Sequence, residues 1–369
     1  MSAEHDQTAS RGSMPRFFAE LDALGAEVRA DLSQDDLDHL RRIERIGRAC
    51  TVAGWATSWM GPNLFSVLML AQGRTTRWTS VAHHISHGGY KRVPNVPARY
   101  TPDGFAKGAR RVTQWLDVIH PEAWHVEHNR LHHARLGEPA DPDFVQKNLD
   151  WLRDSDMPPA AKTALVALMA STWKWMYYAP NTFQELVKLR TGQRRPLKDP
   201  RAWLPISRDG RQLWASMAPY AAINFALLPL AFGVLGPAAA ASSATNSLLA
   251  EWVTNLHTFL IITTNHAGED LGAWENAPAD RQDFLYRQIV GSVNYRTGGD
   301  LNDLLHGWLN YQIEHHLWPD LSMLQYRKVQ PKVKALCERH GVPYIQESVF
   351  KRLRKTVAVM TGRETQQLA

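Results

Sequence analysis

Three short histidine clusters, in a chain that also contains long apolar stretches, restrict this chain more than any other feature of its sequence. On a helix, residues four apart share a face, so His83 with His87, and His128 with His132, are each predicted to present two imidazoles to a common point. Adjacent side chains point about 100° apart, so a neighbouring histidine can serve another ion. The clusters are His83-His84-Ile85-Ser86-His87, His128-Asn129-Arg130-Leu131-His132-His133 and Gln312-Ile313-Glu314-His315-His316.

The number of histidines indicates a dinuclear metal site. Imidazole binds iron, zinc, copper and nickel, so the ligand type leaves the metal open. A structural zinc site needs only four ligands, whereas the clusters offer His83, His87, His128, His132, His133, His315 and His316. Further candidates are His84, His125, His306, and His266 with its neighbour Asn265. The carboxylates Glu127, Glu314 and Asp270 are predicted to orient ligating imidazoles through their second nitrogen.

Apolar stretches between the clusters indicate a membrane protein. No charged residue occurs from Cys50 to Gln72, which is long enough to cross a bilayer core of roughly 30 Å. Gly61-Pro62 leaves open whether this segment is one kinked span or two short limbs. Further apolar stretches cover 160–180, 214–241 and 248–264.

The polarity of residues 74–160 places the first two clusters on one side of the membrane. For the third cluster to join them, the chain must cross an even number of times in between. Segment 160–180 carries Lys162 and Lys174, so it is predicted to lie at the interface, and 214–241 with 248–264 to form a hairpin. We therefore expect an all-α integral-membrane helical bundle with about four spans and a cytosolic helical cap that carries the histidine site.

Three parts of the chain follow from this interpretation. Residues 1–48 are predicted to be a polar N-terminal tail, disordered to about residue 30, and an amphipathic helix opened by a capping box at Ser33 and Asp36. Residues 49–345 would form the membrane domain with its cap, and 346–369 a C-terminal tail. The mean hydropathy of −0.36 is low for a membrane protein, because the polar segments are long.

Composition excludes several other classes. The 42 Lys and Arg against 36 Asp and Glu are spread over short stretches with no basic block, so no nucleic-acid partner is expected. The two cysteines, Cys50 and Cys337, match no disulfide or CxxC spacing. The N-terminus has no apolar segment typical of a cleaved signal peptide. We therefore expect the site to face the cytosol.

At the three clusters the chain resembles the membrane fatty acid desaturases, whose boxes are HxxxH, HxxxHH or HxxHH, and (H/Q)xxHH. The third box, Gln312-Ile313-Glu314-His315-His316, is similar to that of acyl-lipid and front-end desaturases, in which glutamine replaces the first histidine. The resemblance implies Gln312 as a further ligand, two non-haem iron ions and O2 as co-substrate. It also implies a fatty acyl lipid, acyl-CoA or acyl-ACP substrate, contact with membrane lipid, and a separate electron donor of the ferredoxin or cytochrome type with its reductase.

Three functions stay open at this stage. The first is a desaturase that introduces a double bond into a fatty acyl chain. The second is a fatty acyl or alkyl hydroxylase on the same scaffold, because the second box and the following Asp141-Pro142-Asp143 also resemble alkane monooxygenases. The third is a membrane protein that binds metal without chemistry. A transport path would require polar residues inside the apolar stretches. Few polar residues interrupt these stretches, and this argues against the third function.

Overall fold

The computed structural model describes residues 3–368, which are built almost entirely from helices. In chain order the α-helices are α1 (Ala3–Ala30), α2 (Gln34–Thr57), α3 (Leu64–Thr75), α4 (His83–Ser86), α5 (Arg110–Gln114), α6 (Pro121–Trp124), α7 (His133–Arg135), α8 (Val145–Asn148), α9 (Asp150–Arg153), α10 (Pro159–Trp173), α11 (Ala179–Thr191), α12 (Arg208–Ala222), α13 (Leu228–Ala231), α14 (Pro237–Ile262), α15 (Arg281–Val290), α16 (Asp300–Leu305), α17 (Gln312–Leu317), α18 (Met323–His340) and α19 (Val349–Met360). The prediction of an all-α fold is confirmed.

Short irregular elements connect these helices. Turns of π-helix cover Thr76–Ala82, His125–His132, Lys174–Tyr178 and Ile223–Leu227. Turns of 3₁₀-helix cover Ala98–Tyr100, Pro200–Ala202, Phe232–Leu235 and Thr263–Asn265. Within the described residues the only named strands are β1 (Gly272–Ala273) and β2 (Gln367–Leu368), which pair in parallel.

Helix α1 covers residues 3–30 and its side chains are described from Met14 onward, so the prediction of disorder to about residue 30 is wrong for residues 14–30. Phe17 and Leu21 lie four residues apart on one face of α1 and are completely buried, and α1 packs along α18. Burial of this apolar face supplies the free energy that orders the helix, which the polar composition obscured. Met1 and Ser2, which the same prediction covered, lie outside the described residues. The capping box at Ser33 and Asp36 is confirmed at the start of α2.

The segment from Cys50 to Gln72 forms two antiparallel limbs, the end of α2 and α3, with a turn at 58–63. Gly61 adopts a φ of 106°, which only glycine enters without strain, and permits the reversal. The turn is held from outside the hairpin, because Asn246 on α14 donates from its side-chain amide to Ser58 O at 2.8 Å and Gly61 O at 2.9 Å. Asn63 N–H in turn donates to the Asn246 carbonyl oxygen at 2.8 Å.

A second helical hairpin follows, and its turn lies earlier than the apolar stretches indicated. The first limb runs continuously from Arg208 to Leu235, and α14 returns from Pro237. A turn between 241 and 248 is therefore a wrong expectation. Gly236, at a φ of 111°, reverses the chain, and Pro237 is suited to the first turn of α14 because its fixed φ is helical. Among the described residues, the limb Arg208–Leu235 is the one helix long and apolar enough to cross a membrane by length and composition.

Segment 160–180 belongs to one helix that runs from α10 through a π-turn into α11. The lysines that suggested an interfacial position are buried within the protein. Lys174 donates to Asp117 at 3.2 Å, and Lys162 donates to Arg153 O at 2.6 Å. Each ammonium therefore has a hydrogen-bond partner inside the fold, as a buried charge requires. These two lysines give no evidence that segment 160–180 exposes a polar face at a membrane interface.

Candidate metal centre

The three histidine clusters and His266 converge from four separate parts of the chain. The first lies on α4 and its C-cap, directly after a π-turn, and the second begins inside the π-helix His125–His132 and continues into α7. The third lies on α17, and His266 follows the 3₁₀ turn at the end of α14. Short π-helical turns inside α-helices occur most often at functional sites. Here two of them precede or carry the clusters.

Seven of the histidines form two groups, and within each group the potential ligand atoms lie within 4.8 Å of one another. We call His83, His87, His128 and His315 the four-histidine set, and His132, His266 and His316 the three-histidine set. Nitrogens about 2.1 Å from a common ion lie at most about 4.2 Å apart, so both groups are close to the size of a metal cage.

The second and third clusters each contribute to both sets. His315 lies in one set and its neighbour His316 in the other, as adjacent helical positions should. His128 and His132, which were predicted to face a common point, fall in different sets, and their ligand atoms also form a third group with Asp143, all within 4.8 Å of one another. The two rings stack with centroids 5.3 Å apart, so the four-residue spacing brings both imidazoles to one face as predicted.

His133 lies between the two sets. Its Nε2 is 3.1 Å from His315 Nε2, and its ring stacks on that of His316 with centroids 4.2 Å apart. Gln312 and Asn265 are both buried, and their side-chain oxygens have no hydrogen-bond partner among the described residues.

The other candidate histidines lie outside both sets. His84 donates from Nδ1 to Ser80 O at 2.9 Å, and His306 to Asn302 O at 2.8 Å. His125 is exposed and contacts Asn129.

Four ligating candidates are oriented through Nδ1, which leaves Nε2 directed at the centre. His132 donates to Asp141 at 2.9 Å, His316 to Gln288 Oε1 at 2.9 Å, His266 to Gly291 O at 3.1 Å and His315 to Tyr326 Oη at 3.1 Å. Tyr326 donates its own proton to Trp318 O, so its oxygen is free to accept. Such a hydrogen bond fixes both the tautomer and the ring plane of a metal-binding imidazole.

These orienting residues were not predicted from the sequence. Asp141 follows the second cluster in an Asp-Pro-Asp sequence, which was a usable signal, and it is itself anchored by Gly137 N–H and Asp143 N–H. Gln288 on α15 and Tyr326 on α18 have no local sequence feature that marks them.

The predicted orienting carboxylates act elsewhere. Glu314 accepts from Asn294 and Tyr344, and burial raises the pKa of Glu314 to about 7. Asp270 binds Arg352 and Lys355. Glu127 is fully buried and accepts from Tyr178 at 3.4 Å, and burial together with Asp143 raises its pKa well above the usual range. None of the described hydrogen bonds of these three carboxylates reaches a histidine of either set.

The donor atoms present fit a pair of metal ions. Burial lowers the pKa of every histidine in the four-histidine set well below the usual value, and neighbouring imidazoles lower it further. These rings are therefore neutral near pH 7, as ligation requires. The buried Nε2 atoms of His87, His128 and His316 have no hydrogen-bond partner among the described residues. Unpaired buried nitrogens are costly, and a coordinated ion would satisfy them.

Comparisons with known proteins identify the family of this chain. The model of the fatty acid desaturase family matches residues 57–348. The chain belongs to the fatty acid desaturase family. The expectation of an oxidoreductase of the fatty acyl desaturase type is thereby confirmed at the level of the family.

Individual relatives agree with this assignment. An NADPH-dependent stearoyl-CoA 9-desaturase of Mycobacterium tuberculosis is 23% identical over 362 residues, which cover 92% of this chain and 77% of that protein. A fatty acid desaturase 2-like protein of Mus musculus is 42% identical over 72 residues, 20% of this chain and 15% of that protein. A Delta(8)-fatty-acid desaturase of Euglena gracilis is 43% identical over 65 residues, 18% of this chain and 15% of that protein. The mouse and Euglena relatives therefore match over a small part of their length.

Proposed function

We propose that this protein introduces a double bond into a fatty acyl chain by O2-dependent removal of two hydrogens at a non-haem di-iron centre. The observation that carries the proposal is the convergence of two histidine sets in a chain of the desaturase family. The imidazoles of the four-histidine set are neutral, and each imidazole of the three-histidine set has an orienting hydrogen bond. The four-histidine set would hold one iron ion and the three-histidine set the other, with His133 and Gln312 beside them. The iron pair would supply O2 activation, which no side-chain acid or base can provide.

The residues of the chain position and protect this centre. Trp124 is almost completely buried, stacks on His128 with centroids 4.5 Å apart, and lies edge-on to His83 and His87. Its indole N–H donates to Tyr178 at 3.1 Å, so the ring is fixed in place. An aromatic wall of this kind excludes water from the reacting carbons, which prevents loss of oxidising equivalents to solvent.

The two helical hairpins support an integral-membrane position with about four spans. The helical path begins at Leu64, 19 residues before His83, which corresponds to roughly 28 Å of helix and is close to a bilayer core of roughly 30 Å. Exposed apolar side chains concentrate on both hairpins: Val52, Met60, Leu64, Phe65 and Leu68 on the first, and Leu227, Leu230, Val234, Leu235, Leu248 and Trp252 on the second. Lipid contact would stabilise such a surface. The histidine site would then face the cytosol, at the opposite end from both turns.

The reaction requires a partner that supplies electrons. Reduction of O2 to water consumes four electrons, and removal of two hydrogens from the acyl chain provides only two of them. A separate donor of the ferredoxin or cytochrome type, with its reductase, would provide the rest. For the substrate, the mycobacterial relative is named for stearoyl-CoA, so a saturated acyl-CoA is the first to test, with acyl-ACP and acyl lipid as alternatives.

The experiment is the fatty acid profile, by mass spectrometry of methyl esters, of a host that expresses the protein. The matched variants are His316→Ala, inside the three-histidine set, and His340→Ala, at the far end of α18. We expect new unsaturated chains with the native protein and with His340→Ala, and none with His316→Ala.

Other outcomes distinguish the alternatives. Hydroxylated chains in place of unsaturated ones would assign the hydroxylase reaction to the same scaffold. An unchanged profile, obtained with a co-expressed donor and reductase and with iron-loaded protein, would contradict both reactions.

A further inference from the structure

His266 is the one candidate ligand of either set that lies outside the three clusters. It belongs to an irregular loop between α14 and β1, and its ring is partly exposed. Its set has only three histidines, so the position of this loop decides whether the set is complete. The bond from His266 Nδ1 to Gly291 O orients the ring but leaves the loop backbone to be fixed by other residues.

Helix α19 fixes the backbone immediately after His266. Arg352 is completely buried and donates from Nη2 to Ala267 O at 3.1 Å, and Thr356 donates its hydroxyl to the same oxygen at 2.9 Å. The carbonyl oxygen of Ala267 has two lone pairs, and both are therefore used.

The same arginine holds the loop a second time. Its Nη1 donates to both carboxylate oxygens of Asp270, at 2.7 and 2.8 Å. The fit is tight, because a Cβ added at Gly268 would lie 2.3 Å from Arg352 Nη2. A planar guanidinium can bind a carboxylate and a carbonyl at once, whereas a single ammonium is not shaped to do both.

The residues after α19 complete the enclosure of the loop. Gln366 donates from its side-chain amide to His266 O at 3.3 Å, and Gln367 N–H donates to Leu271 O at 3.0 Å. Strand β2 then pairs with β1 at the end of the loop. The loop is thus held at His266, Ala267, Asp270 and Leu271 by one continuous C-terminal segment.

We propose that residues 349–368, which we call the C-terminal strap, position His266 and so determine metal binding at the three-histidine set. The inference deepens the proposed function and rests on it only in that both histidine sets bind metal. The described contacts of the strap reach the loop backbone and Asp270 and no ligating nitrogen, so its residues are positioning residues. Because outer partners of metal ligands typically contribute 10-fold to 100-fold in affinity, loss of the Arg352 contacts should weaken one metal site about 10-fold to 100-fold and leave the other unchanged.

The test is an anaerobic titration of the detergent-purified, metal-free full chain with Co²⁺, followed by its visible absorption. Co²⁺ reports the number, affinity and coordination of ions without requiring turnover. The variants are Arg352→Gln and Thr356→Val, with Thr356→Ser as the conservative replacement that keeps the hydroxyl. Arg354→Gln is the matched control, because Arg354 is an exposed arginine on the same helix.

We expect two ions in the native protein and one of them weakened about 10-fold to 100-fold in Arg352→Gln. Thr356→Val should weaken the same ion by a smaller factor, Thr356→Ser should restore it, and Arg354→Gln should match the native protein. Thr356→Val keeps the shape of the side chain, so it remains informative if Arg352→Gln fails to fold.

Three results would overturn the inference. The variants could bind both ions as the native protein does while melting at lower temperature, which would make the strap purely structural. Both ions could be weakened equally, or the native chain could bind fewer than two. The proposed function fails separately, by an unchanged fatty acid profile from a native protein that does bind two ions.

Discussion

The two histidine sets use the same ligand but are supported in different ways. The four-histidine set is assembled from the three clusters alone, and burial keeps all of its imidazoles neutral. The three-histidine set depends on partners from outside the clusters: Asp141, Gln288 and the C-terminal strap. Burial opposes protonation of His132, but the Asp141 carboxylate outweighs it and raises the pKa of His132 above its usual value.

This difference shows how a dinuclear site can hold two inequivalent ions. A carboxylate behind an imidazole increases its basicity and so strengthens its bond to a metal. The three-histidine set has one histidine fewer than the four-histidine set, but one of its histidines, His132, is oriented by a carboxylate. In the four-histidine set the orienting bond described is that of His315, and its partner is the neutral hydroxyl of Tyr326. Each set should therefore respond to its own group of mutations.

The largest expected effect comes from removing one ligand in each set. We expect His315→Ala and His266→Ala each to reduce bound iron from two ions to one, and desaturation to the background of the host. The reason is that O2 chemistry at a paired centre needs both ions. Iron analysis with the fatty acid profile measures both effects. Loss of both ions in either variant would show that the sets do not bind independently.

Asp141→Asn should produce a smaller and one-sided effect. It removes the negative charge behind His132 and should weaken the ion of the three-histidine set about 10-fold to 100-fold, without change at the other set. Metal titration of the purified protein measures this. The exposed Asp154→Asn is the control. An equal loss at both sets would remove the distinction between them.

Tyr326→Phe and Gln288→Leu form a smaller, reciprocal pair. The first removes the hydroxyl that accepts from His315, and the second removes the amide oxygen that accepts from His316. Neutral hydrogen bonds contribute less than charged ones, so we expect losses of about 10-fold or less in affinity, at the four-histidine set for Tyr326→Phe and at the three-histidine set for Gln288→Leu. If both variants weaken the same ion, the assignment of orienting residues is wrong.

Much of this site was predictable from residue type and spacing. The histidines of the clusters could be named because imidazoles at helical spacing have few other uses in such density. His266 stands alone in the sequence and was named together with His125 and His306, which lie outside both sets. The division of His128 and His132 between two sets could not be predicted, since it depends on which distant histidines the fold brings to each ring: His83, His87 and His315 to His128, and His266 and His316 to His132.

Long-range partners explain most of the remaining errors. Glu314 and Asp270 were predicted to orient ligands because they lie beside them in sequence. In the fold Glu314 points toward Tyr344, and Asp270 binds Arg352 of the strap. The order of α1 similarly depends on α18, more than 290 residues away along the chain. Such contacts are set by tertiary packing, which a single sequence does not report.

The effect of pH on the metal-free protein tests the electrostatic difference with the smallest perturbation. Histidines with a lowered pKa stay neutral in the folded protein. In the unfolded chain the same histidines have the ordinary pKa of 6.5 and take up protons below that pH. The unfolded state then binds more protons, so the free energy of unfolding falls as the pH drops below about 6.5.

The contribution of His132 to the free energy of unfolding changes with pH in the opposite direction. Its raised pKa contributes stability that is present below 6.5 and is lost as the pH rises through the folded value. Asp141→Asn removes that contribution, so denaturant unfolding in the presence of chelator should show a gap between variant and native protein that is wider at pH 5 than at pH 8. A gap of constant size would mean that Asp141 stabilises the fold through its backbone hydrogen bonds and not through the charge of His132.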